Sequence, residues 1–283
     1  MRQAHRWAVG CVGFLVGLGI LGVAGGYAAD NDGDKDTELP AVFQAAGTTA
    51  EAIQSTVDAF RAALGDPNNA NAPGPLAKGR REINWDGGGN NDTTTPPVTP
   101  FDVFLDSRGA QFTTPATGLT QAPPAGGPQG GLAALFNNPT YGDIFSTFSP
   151  LRLFAPVGSN FVDGQFFIPG TNGEERATVR GFGAVFTDVD RPAGSLTGDH
   201  LRDLIPSTLI TYFDADGKEL FTGVVPASPG DGSLSFFGVV FDKARIARIR
   251  IISGSTAPGP DDDAKHDIVV MDDFLYGEPQ PLD

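Results

Sequence analysis

From residue 80 onward the chain is a succession of short apolar segments separated by turns rich in glycine and proline. This pattern has no helical periodicity between the segments, so it predicts antiparallel strands stacked in two sheets. The clearest segments are at residues 177–187, 208–213, 219–225, 234–241, 247–252 and 268–276. Shorter ones are at residues 81–86, 101–105, 110–113, 151–154 and 165–168. We therefore predict an all-β fold, a jelly-roll-like antiparallel β-sandwich, over residues 79–279.

A helix is predicted before the sandwich. Apolar residues recur at helical spacing, namely Ile53, Val57, Phe60 and Leu64. Thr48 and Glu51 have the spacing of a capping box, and Gly65 is a stop signal. We predict an N-terminal amphipathic helix over residues 48–65 whose apolar stripe docks on the main domain. A partner-binding role for the stripe is the alternative.

The segments that flank this helix have the composition of irregular chain. Residues 29–47 contain the charged run DNDGDKDTE and predict a disordered acidic leader. Residues 66–78 contain NNANAPGP and predict a linker. Residues 280–283 form a short tail.

The first 28 residues predict a secretory signal peptide. A basic region at residues 2–6 precedes an uncharged run over residues 7–29. Gly26 and Ala28 fit the small-x-small cleavage pattern, which places the cut before Ala29. An uncleaved membrane anchor is the alternative, because the run is long enough to span a bilayer. We expect the mature protein to be secreted or periplasmic.

The charge of the mature chain limits its partners. Removal of the signal takes away two of the 19 basic residues and none of the 34 acidic ones. A surface with this excess of acidic groups repels nucleic acid and anionic lipid and attracts divalent cations. We therefore expect no nucleic-acid partner and no membrane association after cleavage. Cys11 is the only cysteine, and its flanking residues make a poor lipobox, so we expect neither lipidation nor a disulfide.

No catalytic signature is present in the sequence. It has no G-x-S-x-G, H-E-x-x-H or P-loop motif, and only His200 and His266 lie outside the signal. Two histidines are few for a Ser-His-Asp triad or a histidine metal centre, so the sequence disfavours both. The acidic residues are numerous enough to supply the carboxyl pair of a glycosidase, so a glycoside-type hydrolase stays an alternative.

Aspartates at strand ends predict a cation site. Asp188 and Asp190 follow one strand, while Asp272 and Asp273 lie inside the apolar last strand, where one must point toward the core. A buried carboxylate is costly unless it is paired or bound to metal, and Ca²⁺ takes several such oxygen ligands. Asp86 ends the first strand, which often pairs with the last. We predict that these five aspartates form a structural Ca²⁺ site. Turn capping or arginine pairing is the alternative role.

Several runs resemble a family of uncharacterised secreted bacterial proteins. The runs are GRREINWDG at 79–87, SPLRLF at 149–154, VGSN at 157–160, GFGAVFTDVD at 181–190 and VMDDFLYGEP at 270–279. More loosely, FTDVD at 186–190, FDADG at 213–217 and VMDDFLYG at 270–277 are similar to domains of PEP-CTERM-type exported proteins. That resemblance implies a jelly roll akin to carbohydrate-binding modules. The chain lacks the C-terminal sorting helix of that class, which favours a soluble product.

The resemblance and the lack of catalytic motifs favour a non-catalytic extracellular binding module, with a glycan as the expected ligand. Such a module presents aromatic side chains in a groove, and the candidates are Tyr141, Phe145, Phe148 and Phe161. Packing in the core is the alternative role of these rings. A structural or adhesive matrix protein is the second function to consider, and a hydrolase is the third.

Overall fold

The computed structural model describes residues 39–87, 89, 91–190, 208–228, 230–263 and 266–282, which belong to one compact unit. The predicted signal peptide, Cys11, most of the leader and His200 lie outside the described residues. Antiparallel sheets dominate the described part, so the prediction of an all-β sandwich is confirmed. Within these residues no helix combines the length and the apolar character needed to cross a membrane.

The described elements are short strands with few helices. The strands are β1 (Ala41–Gly47), β2 (Arg80–Ile83), β3 (Ala110–Thr113), β4 (Gly118–Ala122), β5 (Leu153–Val157), β6 (Phe161–Phe166), β7 (Ala177–Thr178), β8 (Gly181–Thr187), β9 (Leu209–Phe213), β10 (Glu219–Val224), β11 (Leu234–Val240), β12 (Arg248–Ile252), β13 (Val270–Gly277) and β14 (Gln280–Pro281). The helices are α1 (Ala50–Leu64), α2 (Leu105–Arg108), α3 (Gly131–Leu135) and α4 (Tyr141–Ile144).

The strands form two main sheets. The larger sheet has the order β1-β11-β8-β13-β5-β4, and β2 also pairs with β13. The smaller sheet has the order β10-β9-β12-β6-β3, and β7 with β14 makes a separate ribbon. The pairing of β2 with β13 is the expected contact between the first and last strands of the predicted set, and it brings the residues after β2 close to the middle of β13.

One aromatic-rich core joins the two sheets. Apolar residues of both sheets belong to a single buried cluster. Trp85 lies in it, fully buried, with its ring stacked on Phe154 at a centroid distance of 3.9 Å and edge-on to Phe274 at 4.9 Å. The Trp85 Nε1 donates to the carbonyl of Asp272 at 2.9 Å. The segment after β2 is therefore anchored to β13 by stacking and by a buried hydrogen bond.

Helix α1 covers the other face of the large sheet. Its apolar residues pack against β8, β11 and β13 in a second cluster. Phe60 lies over Gly183 and Gly238, which are paired between β8 and β11. A Cβ at Gly183 would stand 2.9 Å from the Phe60 ring, and one at Gly238 would stand 2.8 Å from it. Two glycines therefore allow the helix to approach the sheet closely.

Parts of the N-terminal half differ from the prediction. Residues 41–47, which composition assigns to the disordered leader, form β1 and pair with β11 along their whole length. The charges of the leader end at Glu38, so this uncharged segment is free to add a strand to the sheet. Residues 101–105 make only one bridge, at Phe101, before α2 begins. The N-cap of α1 is Thr49 rather than Thr48.

The predicted linker at residues 66–78 is held to the sandwich by a buried ion pair. Arg81 and Glu278 have fully or almost fully buried side chains and meet through two bonds, of 2.6 and 2.7 Å. The remaining Arg81 nitrogen, Nη1, donates to the carbonyls of Ala70 and Ala72, each at 2.7 Å. The segment is thus part of the domain, because residues distant in sequence supply partners for its backbone.

Candidate functional site

Strand β13 is irregular where it carries its two aspartates. Its pairing with β8 is interrupted after Met271 and resumes at Phe274. Asp272 and Asp273 occupy this bulge, and both are buried. Simple alternation predicts that only one of them faces inward. The bulge, which strand periodicity does not reveal, places both carboxyl groups inside.

The Asp272 carboxyl accepts backbone hydrogen bonds from the segment before β5. Its Oδ2 accepts from the N–H of Phe148 at 2.6 Å and from that of Ser149 at 3.3 Å. Burial raises the pKa of Asp272 well above its ordinary value, and the charge of Asp273 adds to the shift. The side chains of Asp272 and Asp273 also act on each other, so the two carboxyl groups titrate as a pair rather than independently.

Asp273 extends from the bulge toward the partly exposed guanidinium of Arg61. Its Oδ1 accepts from the Ser149 hydroxyl at 2.6 Å, and its Oδ2 lies 3.7 Å from Nη2 of Arg61 on α1. Burial raises the pKa of Asp273, while the hydrogen bonds from Ser149 and Asp272 and the charge of Arg61 act against that rise. Asp273 is therefore a carboxyl group that is largely shielded from water but reaches a charged surface.

Asp86 fixes the same segment from its other side. Its Oδ1 accepts from the backbone N–H of Leu151 at 2.5 Å and from that of Arg152 at 2.8 Å. Asp86 and Asp272 together bind four backbone N–H groups of residues 148–152. The wall formed by this segment is thus held by carboxylates rather than by a regular strand.

A cleft of about 450 Å³ opens beside this wall. It is lined by Gln54, Arg61, Asn68, Ala70, Glu82, Asn84, Arg108, Phe148, Ser149, Pro150 and Asp273. Most of these side chains carry charge or an amide. The cleft therefore offers a ligand many hydrogen-bonding groups beside an apolar surface of similar extent, to which Phe148 and Pro150 contribute.

An ion-pair network orients the charged groups of the cleft. Arg61 bonds Asp58 and Glu82, in each case at 3.0 Å, and Glu82 also accepts from Arg80 at 2.6 Å. Arg108 donates to the backbone carbonyl of Glu82 and to Asn71. Each guanidinium is thus held by at least two partners. These residues lie on α1, β2 and α2, which are separated in the sequence and meet only in the folded chain. The sequence pattern therefore does not predict that they form one group. The RREIN run at 80–84 was the only available signal.

The other two predicted metal ligands lie elsewhere. Asp188 and Asp190 follow β8, where the Asp190 N–H donates to Asp267 at 3.4 Å and Oδ1 of Asp190 accepts from Gly230 N–H at 3.3 Å. Among the residues that the structure describes, no hydrogen bond or ion pair joins them to Asp86, Asp272 or Asp273. The five predicted aspartates therefore form two groups. Within the described residues, no three acidic, histidine or cysteine side chains stand close enough to hold a metal ion.

The predicted aromatic candidates also separate. Tyr141 and Phe145 are buried in a cluster under α3 and α4, and the Tyr141 hydroxyl donates to the carbonyl of Gly259 at 2.7 Å. Phe161 is 36% exposed on the smaller sheet. Phe148 is half-buried and lines the cleft. Comparison with protein-family models, curated proteins and solved structures finds no match to this chain.

Proposed function

We propose that the protein is an exported, non-catalytic β-sandwich of jelly-roll type that binds a glycan in the cleft between α1, β2 and residues 148–150. The observation that carries this proposal is the lining of the cleft. Guanidinium, carboxylate and amide groups face a space of about 450 Å³, within the range of ligand pockets, which is roughly 300–1,000 Å³. The expected export and the resemblance to carbohydrate-binding modules support the same ligand class.

The chemistry of the lining suits a saccharide better than an apolar ligand. Each sugar hydroxyl both donates and accepts, and the cleft offers donors at Arg61 and Arg108 and acceptors at Glu82 and Asp273. The Asn84 amide is exposed and provides both kinds of group. The half-buried ring of Phe148 offers an apolar surface for the face of a sugar ring. Because ion pairs hold the charged groups, little side-chain entropy is lost on binding.

A glycan array followed by calorimetry tests this function. We expect at least one glycan to bind the full chain, and Asn84→Ala to weaken that binding about tenfold, because about 1.4 kcal/mol of hydrogen bonding is lost. Gln44→Ala is the matched control, since it removes an exposed amide from β1 and should leave affinity unchanged. The proposal fails if no glycan binds, or if the two variants behave alike.

The alternative of a glycoside hydrolase is favoured by one observation. Glu82 and Asp273 both lie within 4 Å of the same Arg61 nitrogen, at 3.0 and 3.7 Å. Their oxygens are thus no more than about 7 Å apart, an upper limit that includes the separation of about 5–5.5 Å used by retaining glycosidases. The raised pKa of Asp273 is the property that a general acid requires.

Release of reducing ends from a panel of polysaccharides separates these two functions. A binding module releases none. A hydrolase loses release in both Asp273→Asn and Glu82→Gln, since each removes one of the required carboxyl groups, while binding of the polysaccharide persists. A protein that neither binds nor cleaves glycans but self-associates in sedimentation experiments would support the matrix role instead.

A further inference from the structure

The edges of the two main sheets differ in how they are protected. Backbone segments outside the strands bond the outer edges of β2, β3 and β4, with N···O distances of 2.7 to 3.2 Å. These segments are residues 67–69, residue 101 and residues 95–98. β10 is interrupted by a bulge and begins with the charged Glu219. Covering segments, bulges and charges all prevent an edge strand from pairing with another chain.

The edge formed by β1 has none of these protections. Its residues 41–47 pair with β11 in an unbroken register. Within the described residues their backbone forms no other hydrogen bond, so the remaining N–H and C=O groups point away from the sheet. Residues 39–50 carry no charged side chain, and β1 contains no proline. The free side of β1 is therefore a template for one more strand.

The side chains of β1 pack on one face of the sheet and are exposed on the other. The Phe43 ring lies edge-on to Phe60 of α1 at a centroid distance of 5.4 Å, which fixes the strand to the domain. Val42, Gln44 and Ala46 alternate with it and are exposed, Val42 at 44%. An added strand would bring cross-strand neighbours to these exposed side chains, and such contacts stabilise a pair of strands.

The sequence of β1 fits an antiparallel copy of itself. Gln44 is the middle residue of the strand, so complete overlap of two copies places a two-fold axis there. Val42 of one copy then lies opposite Ala46 of the other, and Phe43 lies opposite Ala45 in the same way. The larger side chains of the first half therefore meet the smaller ones of the second half. At the axis each Gln44 amide can donate to the other and accept from it.

Charge favours a second copy as the occupant of this edge. The chain has a formal net charge of −15, so two copies repel each other over most of their surfaces. Contact between copies is least unfavourable along an uncharged segment, and residues 39–50 provide one. A basic partner would gain no attraction from this segment and would be drawn to the acidic surfaces instead.

We propose that β1 is a dimerisation strand, and that the β1 strands of two copies pair antiparallel about a two-fold axis at Gln44. The large sheets of both copies then join into one continuous sheet, with both α1 helices on the same face. Such a contact uses the same surface on each copy and stops at two, unlike the open assembly of a matrix protein. It does not depend on the proposed glycan function, since no residue of β1 lines the cleft.

Sedimentation velocity of the full chain in a dilution series tests the dimer. We expect a reversible equilibrium between monomer and dimer, with no larger species. Val42→Lys should raise the dimer dissociation constant at least about tenfold, because the added charge loses water in the joined sheet without gaining a partner. Val103→Lys is the matched control, since Val103 is 61% exposed outside the sheets, and its dissociation constant should not change.

A complementary pair of variants tests the register. In a mixture of Val42→Lys with Ala46→Glu, the introduced lysine of one chain lies opposite the introduced glutamate of the other. The mixed dimer should therefore be tighter than the dimer of either variant alone. Added salt should strengthen the dimer of the unaltered protein, because salt screens the repulsion between two acidic copies. An interface held by ion pairs would weaken instead.

Three results would overturn the dimer. They are a monomer at every concentration, association that continues beyond two copies, and equal association of Val42→Lys and Val103→Lys. A monomer that captures an extended peptide of another sequence at β1 belongs to the first of these. If Val42→Lys does not fold by circular dichroism, Ala46→Lys takes its place. Glycan affinity should be the same in Val42→Lys and the unaltered protein, so either proposal can fail without the other.

Discussion

The buried ion pair between Arg81 and Glu278 should be the most sensitive charged contact of the domain. Glu278→Gln keeps the shape of the side chain but removes its charge. The guanidinium of Arg81, which is fully buried, would then retain the carbonyls of Ala70 and Ala72 but no counter-ion. Breaking a buried pair by removing one partner costs about 3–5 kcal/mol, because an uncompensated charge stays in the interior.

This cost predicts a large change in melting temperature. For a domain of this size each kcal/mol corresponds to about 2–4 °C, so the variant should melt about 6–20 °C lower. The control is Asp163→Asn. Asp163 pairs with Arg248 and Arg250 at 3.0 and 2.7 Å, but these side chains are partly exposed. Such a pair contributes about 1 kcal/mol or less, so the control should melt within about 4 °C of the unaltered protein.

Urea unfolding followed by tryptophan fluorescence gives the free energies directly, since Trp85 lies in the core. Replacing both partners, Arg81→Met with Glu278→Leu, should be less damaging than the single changes together. The carbonyls of Ala70 and Ala72 would still lose the Arg81 guanidinium that donates to them, so stability should not return completely. The reasoning is refuted if Glu278→Gln is within about 1 kcal/mol of the unaltered protein.

Two further changes test the packing of α1 and the β13 bulge. Gly183→Ala should lower the free energy of unfolding in urea by about 1–3 kcal/mol, because the added Cβ would stand 2.9 Å from the Phe60 ring. Adding Phe60→Leu should recover part of the loss. Asp272→Ala should cost about 1–3 kcal/mol for each backbone N–H left unpaired, whereas Asp272→Asn keeps an acceptor. Because the folded pKa of Asp272 is raised, its stability contribution falls as pH rises above its unfolded pKa, about 3.9. The advantage of Asp272→Asn over the unaltered protein should therefore grow between pH 5 and pH 8, and an unchanged difference would contradict the assignment.

The sequence predicted well those features that depend on local periodicity. Alternation around Arg248 and Arg250 identified β12, and the turn at residues 214–217 identified the hairpin of β9 and β10. β1 was missed because it is an edge strand with mostly exposed side chains, held by backbone pairing to β11. Exposed edge strands of this kind carry no apolar alternation to recognise.

The candidate sites are formed by a strand bulge and by contacts between distant elements, and sequence periodicity predicts neither. The bulge buries Asp272 together with Asp273, whereas alternation assigns them to opposite faces. Arg61 and Glu82 are 21 positions apart, and only the docking of α1 beside β2 brings them into contact. Cation binding at the five aspartates stays a prediction. The structure changes which of them share a location.

The pairing of β1 with β11 and of β2 with β13 affects the order of events during synthesis. Ala41 pairs with Val240 and Ile83 pairs with Phe274, so each early strand requires a partner made near the end of the chain. A nascent chain therefore carries unpaired strand edges and an uncovered α1 until its last strand has left the ribosome. Pairing over such sequence separations is slow, and exposed edges promote aggregation. The growing polypeptide thus has the properties of a chaperone client until its last strands are complete.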